Sequence, residues 1–334
     1  MECGIIGLPN VGKSTFFKLL SNKKVLIKNY PFSTINPNKY LIYLYDIRLI
    51  NLCKILNIKN YKFNNIEIID IAGIIKKSYK GKGLGNMFLS YIRNTKILIN
   101  IIRFFYKKKI ININNNIIDP IYEKKIIYNE LLMKDISILN KFIKKNKNNN
   151  NINKFKKILY FFKKKNIKYI KKICNDEYKL IKKFNFLSLK PIIYICNINN
   201  KTNKDEILYI KKKFKKKKEI VFFLNIKKLL KKKKKVNKII NILFKKLKYI
   251  TFFTIDKKNN KICSWKIKKN SYAYEASKKI HSTFSKKIIK VKVINYNKLI
   301  NNKINNNNIN NFYLIKSKKY IVKDGDILLF ILNK

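Results

Sequence analysis

An α/β fold is expected for this 334-residue chain: a parallel sheet whose first strand runs through a glycine-bearing loop into a helix, a helical hairpin, and a small mixed sheet at the carboxyl end. Three observations carry that expectation. The run Gly7-Leu8-Pro9-Asn10-Val11-Gly12-Lys13-Ser14 sits between a short apolar strand and an amphipathic helix bearing Phe16, Phe17, Leu19 and Leu20. Apolar residues recur at helical spacing as Tyr128, Leu131, Leu132, Ile136, Leu139, Phe142 and Ile143, and again as Phe155, Ile158, Leu159, Phe162 and Ile170, on either side of a polar tract at 148–151. Strand-like runs then follow at 251–255, 262–267, 288–294 and 327–332, with a helix over 272–284, which suits a small mixed sheet.

Composition narrows the class. Hydrophobic residues make up 46% of the chain, enough for a buried core, and the length suits about two domains. Lys and Arg outnumber Asp and Glu 79 to 17, a formal charge of +62 that attracts polyanions, with RNA the obvious partner class. Yet the arginines are only Arg48, Arg93 and Arg103, and Lys, Asn and Ile, all encoded by A/T-rich codons, dominate every segment. A lysine surface swollen by mutational bias and a dedicated nucleic-acid patch both account for the charge. Five scattered cysteines (Cys3, Cys53, Cys174, Cys196, Cys263) and a single histidine, His281, argue against a disulfide framework or a zinc site. With no signal peptide and no apolar run of membrane-spanning length, a cytoplasmic location is expected. His281 is expected to pack or cap and Trp265 to lie in the core.

Only eight glycines occur, and seven of them fall at Gly4, Gly7, Gly12, Gly73, Gly81, Gly83 and Gly85. The first group completes G-x-x-x-x-G-K-[ST] at every fixed position, where main-chain amides at a helix start attract phosphate oxygens and Lys13 adds a mobile cation. Ser14 would place its hydroxyl on Mg²⁺. A second signal ends the strand at 66–69 as Asp70-Ile71-Ala72-Gly73, D-x-x-G, in which Asp70 can hold the magnesium and Gly73 can sense a γ-phosphate. Between them lies the proline-bracketed loop Tyr30-Pro31-Phe32-Ser33-Thr34-Ile35-Asn36-Pro37. Its Thr34 is either a second magnesium ligand or a turn threonine bonded to its own backbone. The tract Gly81-Lys82-Gly83-Leu84-Gly85-Asn86 reads as a conformational switch, and Asp324-Gly325-Asp326 as plain turn chemistry.

The runs GLPNVGKST, PFSTINPN, DIAG, KGKGLGNMFL and SLKPIIYICNIN, with Ala273-Tyr274-Glu275-Ala276 and Tyr320-Ile321-Val322-Lys323-Asp324-Gly325-Asp326 near the end, resemble the YchF (Obg-like ATPase) family of P-loop NTPases. The resemblance implies a Ras-like G domain over 1–120 and 186–248, a coiled-coil hairpin over 121–185, and a β-grasp (TGS) domain over 249–334. It also implies a cytoplasmic, ribosome-bound, monomeric NTP hydrolase with no membrane attachment and no DNA specificity. Carried onto this chain, the nucleotide contacts are Asn10, Val11, Gly12, Lys13, Ser14, Thr15, Asn197 and Ile198. The magnesium ligands are Ser14, Thr34 and Asp70, and the residues acting at the reacting phosphate are Lys13 and Gly73.

Two departures shape the chemistry. Guanine readers carry N-K-x-D after the fifth strand, whereas this chain has Asn197-Ile198-Asn199-Asn200. An amide at 200 cannot accept both guanine N–H bonds, so ATP is favoured over GTP. Asn200 also departs from the family's N-x-x-E. Where relatives orient water with a glutamine, this chain has Ile74, so another aid to hydrolysis is needed. Asn10 occupies the position that coordinates K⁺ in cation-dependent relatives, and K⁺ is therefore expected to assist. The competing expectation is an RNA-binding module in which the nucleotide is mainly a structural ligand.

Overall fold

The computed structural model describes residues 2–21, 39–70, 92–105, 118–146, 151–165, 184–230, 234–256, 259–301 and 309–333. The chain divides into two compact units. One takes Met1–Ile42 with Glu67–Lys233, and the other Tyr43–Ile66 with Lys234–Lys334.

The first unit is built on strands β1 (Glu2–Ile6), β2 (Lys39–Tyr43), β4 (Asn65–Asp70), β5 (Ile97–Phe104), β6 (Ile192–Ile198) and β7 (Ile220–Leu224). Their order is β2-β4-β1-β5-β6-β7. The pairs β1–β4, β1–β5, β5–β6 and β6–β7 are parallel. All eight residues of β5 are buried, as expected of a central strand covered on both faces. Because β4, β1, β5, β6 and β7 run the same way, their carboxyl ends gather along one edge, where open α/β sheets bind ligands.

Helix α3 (Pro120–Lys145) leaves this sheet at a sharp start. Asp119 caps it by accepting from the Ile121 amide at 2.8 Å, and Pro120 occupies its first turn. Helix α4 (Ile152–Lys163) folds back on α3 through a core of Leu132, Leu139, Phe155, Ile158 and Phe162. The expected hairpin is therefore present where it is described, although α4 stops at Lys163 and Ile170 lies outside the described residues. Two polar ties, the first buried and the second half-buried, hold it in place. Asp135 accepts from Leu187 N at 2.9 Å, Ser188 N at 2.8 Å and Ser188 Oγ at 2.7 Å. Lys124 pairs with Glu219 and lies over the rings of Tyr194 and Phe214 at 5.0 and 4.8 Å.

The second unit holds a mixed sheet of β3 (Asn60–Lys62), β8 (Tyr249–Asp256), β9 (Lys261–Lys268), β10 (Ile288–Asn295), β11 (Leu314–Ser317) and β12 (Asp326–Leu332), ordered β11-β10-β12-β8-β9-β3. The four strands expected from sequence are present. Two features differ from expectation. The helix expected over 272–284 is interrupted: Ala273–Ile280 ends at His281, which caps it with extended backbone, and a separate turn spans Phe284–Lys287. The domain boundaries differ too, since 43–66 and 234–248 pack with the carboxyl-terminal sheet. Helix α2 (Ile47–Ile55) buries Leu49 and Leu52 against Phe253, Ile255 and Ile327, and β3 pairs in parallel with β9. These contacts are far apart in sequence, so no local pattern announces them. None of the described helices is long and apolar enough to cross a membrane.

Candidate functional site

β1 ends at Ile6, and the chain passes through residues 7–12 into helix α1 (Lys13–Ser21). Phe16, Phe17, Leu19 and Leu20 anchor that helix in the core, and Phe17 meets Tyr40 edge-on at 4.2 Å. Its amino end therefore faces the loop with fixed direction. Phe16 N bonds to Gly12 O at 2.9 Å, so the helix begins at the loop and turns its amino end, the positive end of its dipole, toward it, an arrangement that suits an anion.

Two glycines are required by the geometry. A Cβ on Gly7 would lie 2.5 Å from the Ile101 carbonyl oxygen, so only hydrogen allows the loop to pass this close to β5. Gly12 has φ +102°, and a Cβ there would lie 2.6 Å from Asn197 Nδ2. Asn10, at the exposed crest of the loop, takes a left-handed φ of 61°, a conformation Asn tolerates better than most residues. Lys13 Nζ donates to Leu8 O at 2.7 Å and to Gly7 O at 3.1 Å, which draws the ammonium back across the mouth of the loop.

Asn197, buried at the end of β6, holds this loop from the neighbouring strand. Its Nδ2 donates to Val11 O at 3.0 Å while its Oδ1 accepts from Ile226 N at 3.3 Å. The side chain expected to face the base is thus also a strut between loop and sheet. Ile198 is half-buried and packs against the cluster of Ile102, Phe104, Tyr194 and Phe214. Beyond it, Thr202 Oγ1 donates to Phe104 O at 3.1 Å and accepts from Asn199 N at 3.1 Å, which pins the turn carrying Asn200.

Ser14 and Thr15 occupy the first turn of α1, with Ser14 exposed. Asp70 ends β4 in register with Ile5 of β1, so the main chain brings the two hard-oxygen positions to the same edge of the sheet. Thr34, Gly73, Ile74 and the tract 81–86 lie outside the described residues, as does Cys174.

Three residues near this edge escaped the sequence reading. Glu123 of α3 accepts from Arg103 N at 3.0 Å. Burial pushes its carboxyl up to about 7, opposed by that hydrogen bond and by the charges of Arg103 and Lys13. Asn225 caps the short helix Ile226–Leu229, accepting from Lys228 N at 3.0 Å, and Ile226 supplies the amide that Asn197 receives. The one available signal was an Asn just after a strand and immediately before a helical turn bearing Lys227 and Lys228.

A parallel sheet whose first strand runs through G-x-x-x-x-G-K-S into a helix, braced by an asparagine from a strand two places along, defines the nucleotide-binding domain of a P-loop NTPase. Residues 2–141 match the family model described as a 50S ribosome-binding GTPase, and residues 249–333 match the YchF GTPase carboxyl-terminal model, described as a protein of unknown function. The chain is 32% identical to the ribosome-binding ATPase YchF of Mycoplasma genitalium, covering 100% of this chain and 99% of the relative. It is 34% identical to the protein of the same name from Buchnera aphidicola subsp. Acyrthosiphon pisum, covering 99% of each. The solved structure of the Schizosaccharomyces pombe YchF GTPase superposes with a TM-score of 0.77 at 27% identity, covering 99% of this chain and 97% of that one. The chain belongs to the YchF family.

Proposed function

We propose that this protein is a ribosome-associated NTPase that prefers ATP and acts as a nucleotide-dependent switch. The observation that carries the enzymatic part is the Lys13 ammonium fixed over two loop carbonyls at the start of α1, beside glycines that no side chain could replace. There the helix dipole, the loop amides and Lys13 together oppose the charge of a triphosphate tail. Ribosome association rests on the name shared by the relatives, and a net charge of +62 suits an RNA-rich partner.

Ser14, Thr34 and Asp70 would hold Mg²⁺. Their hydroxyl and carboxylate oxygens suit a hard cation, and the register of β4 with β1 brings the main chain at 70 to the same edge as the loop. Bound there, Mg²⁺ would neutralise charge on the β- and γ-phosphates. Asn10 would offer K⁺ its side-chain oxygen from the crest of the loop. Gly73 would report the γ-phosphate to the segment that follows it. Asn200, an amide where guanine readers have a carboxylate, is the ground for preferring ATP.

The test is phosphate release from ATP and from GTP by the full chain, with and without ribosomes, in KCl and in NaCl. Slow intrinsic turnover of ATP, faster in KCl and accelerated by ribosomes, is the expected result. Ribosome binding that is equal in every nucleotide state, with turnover unchanged, would replace the switch with an RNA-binding module that uses nucleotide as a structural ligand.

A further inference from the structure

We infer that Asn225 is a positioning residue that locks the Asn200 side chain with its amide nitrogen outward, and that this orientation selects adenine over guanine. The inference rests on the ATP reading proposed above and supplies its mechanism.

The hydrogen-bond network leaves no choice of orientation. Lys228 N is a main-chain donor, so the atom of Asn225 that meets it at 3.0 Å is the acceptor Oδ1. The other end of Asn225 is therefore its NH₂ group, which can only donate. It meets Asn200 at 3.1 Å, so the Asn200 atom in that contact is Oδ1. Asn200 is exposed, and its Nδ2 is left to face outward as a donor. Both main chains are also held. The turn at 199–202 is tied through Thr202 Oγ1 to Phe104 O, and Asn225 O accepts from Leu229 N at 3.0 Å.

The pair lies where a base would come to rest. β6 and β7 are parallel neighbours, with Asn197 in register with Leu224, so Asn200 and Asn225 both follow the carboxyl ends of adjacent strands. Gly12 of the phosphate loop abuts Asn197, one strand end away. A nucleotide with its phosphates on the loop would extend its base past Asn197 toward this pair. Guanine presents donors there, its N1–H and its exocyclic NH₂, against the outward donor of Asn200. Adenine presents N1, an acceptor. A donor facing a donor leaves both without a partner once water is excluded, whereas adenine completes the bond.

The decisive variant is isosteric. Asn225→Asp keeps the oxygen that caps Lys228 N but places an oxygen against Asn200, which must then turn its NH₂ inward and its carbonyl oxygen outward, toward guanine. Asn225→Ser also keeps a capping oxygen but lacks the second donor, so Asn200 is free to turn either way. The full-length protein and both variants are titrated with ATP, GTP and inorganic tripolyphosphate in competition with a ribose-labelled ADP.

The wild type is expected to favour ATP by about tenfold or more. Asn225→Asp should move the ratio toward GTP by a similar factor and Asn225→Ser should bring it near one, with tripolyphosphate binding unchanged in both. A shift toward GTP in either variant supports the lock even where the other does not fold. An ATP preference that survives unchanged in both overturns this inference and leaves the ATP reading standing. A wild-type ratio at or below one overturns both.

Discussion

The side-chain amide of Asn197 donates to the main-chain carbonyl of Val11 at 3.0 Å and so fastens the phosphate loop to the end of a strand that lies far away in sequence. Its oxygen simultaneously receives the buried Ile226 amide at 3.3 Å. Asn197→Ala would strip both groups of their partner, and each buried polar group left unmade costs ~1–3 kcal/mol. A lower midpoint in urea together with weaker nucleotide binding is expected. Calorimetric titration with ATP at a temperature where the variant remains folded separates the two effects, and unchanged affinity there would show that the strut does not shape the loop.

Gly12→Ala addresses the same contact from the other side. The new methyl would lie 2.6 Å from an amide nitrogen that is itself held by Val11, and φ of +102° is already strained for any side chain. Strain of ~1–3 kcal/mol released by moving the loop should weaken ATP binding about tenfold or more. The far-ultraviolet circular dichroism spectrum should stay unaltered, since the helix itself need not move. A variant that binds ATP like the wild type would mean that the loop accommodates a methyl group here.

Lys13→Ala removes the cation drawn over Leu8 O and Gly7 O. Charge-assisted bonds to phosphate are about twice as strong as neutral ones, and the loop amides alone do not replace them. Loss of detectable ATP binding with an intact fold is expected. Retained affinity in equilibrium dialysis would count heavily against the loop as the phosphate site.

The phosphate loop is legible in the chain because glycine is scarce and Gly7 and Gly12 are fixed by contacts that admit nothing else. Helix α3 and the strands of the second sheet are legible for a related reason: each announces itself by a local period, as Leu132, Ile136 and Leu139 do. The partners of those elements are not legible. Asn225 is one asparagine among many in an Asn-rich chain, and only the bond to Asn200 across two strand ends singles it out. Glu123 looks like any acidic residue in a first helical turn until its contact with Arg103 N shows it half-buried against β5. The place of 43–66 in the second unit rests on pairings such as Tyr61 with Ile262, which no sequence period encodes.

Arg48 belongs to that segment and fixes it. Its guanidinium bonds to Asp46 at 2.7 Å and to Asp324 at 2.9 Å, while Asp324 also accepts from Thr251 N at 2.8 Å. Asp46 in turn caps the helix that buries Leu49 and Leu52. Arg48→Met should lower stability by ~1–2 kcal/mol in urea. Asp324 is half exposed, with 53% of its side chain accessible, and its loss leaves the Asp46 pair intact. Asp324→Asn should therefore cost less than Arg48→Met. The reverse order would mean that Asp324 acts mainly through Thr251 and not through the arginine.

Glu123 gives the fold a dependence on pH whose sign follows from its surroundings. Burial lifts its carboxyl from an ordinary 4.5 to about 7, while the Arg103 amide and the charges of Arg103 and Lys13 pull it down and Asp119 pushes it up. Between those two values the folded chain holds a proton that the unfolded chain has released. The contribution of Glu123 is therefore fully present below about pH 4.5, declines as pH rises through about 7, and stays flat above. Glu123→Gln keeps an oxygen for Arg103 N and cannot ionise. Buried Asp135, raised to about 6 by desolvation, has the same sign, so the informative quantity is the difference between variant and wild type. Melting temperatures measured from pH 4 to 9 should nearly coincide at the acid end and separate through neutrality, with the variant melting higher above pH 7. Two parallel curves would mean that Glu123 keeps the same proton affinity folded and unfolded, and that its burial beside Arg103 is relieved in solution.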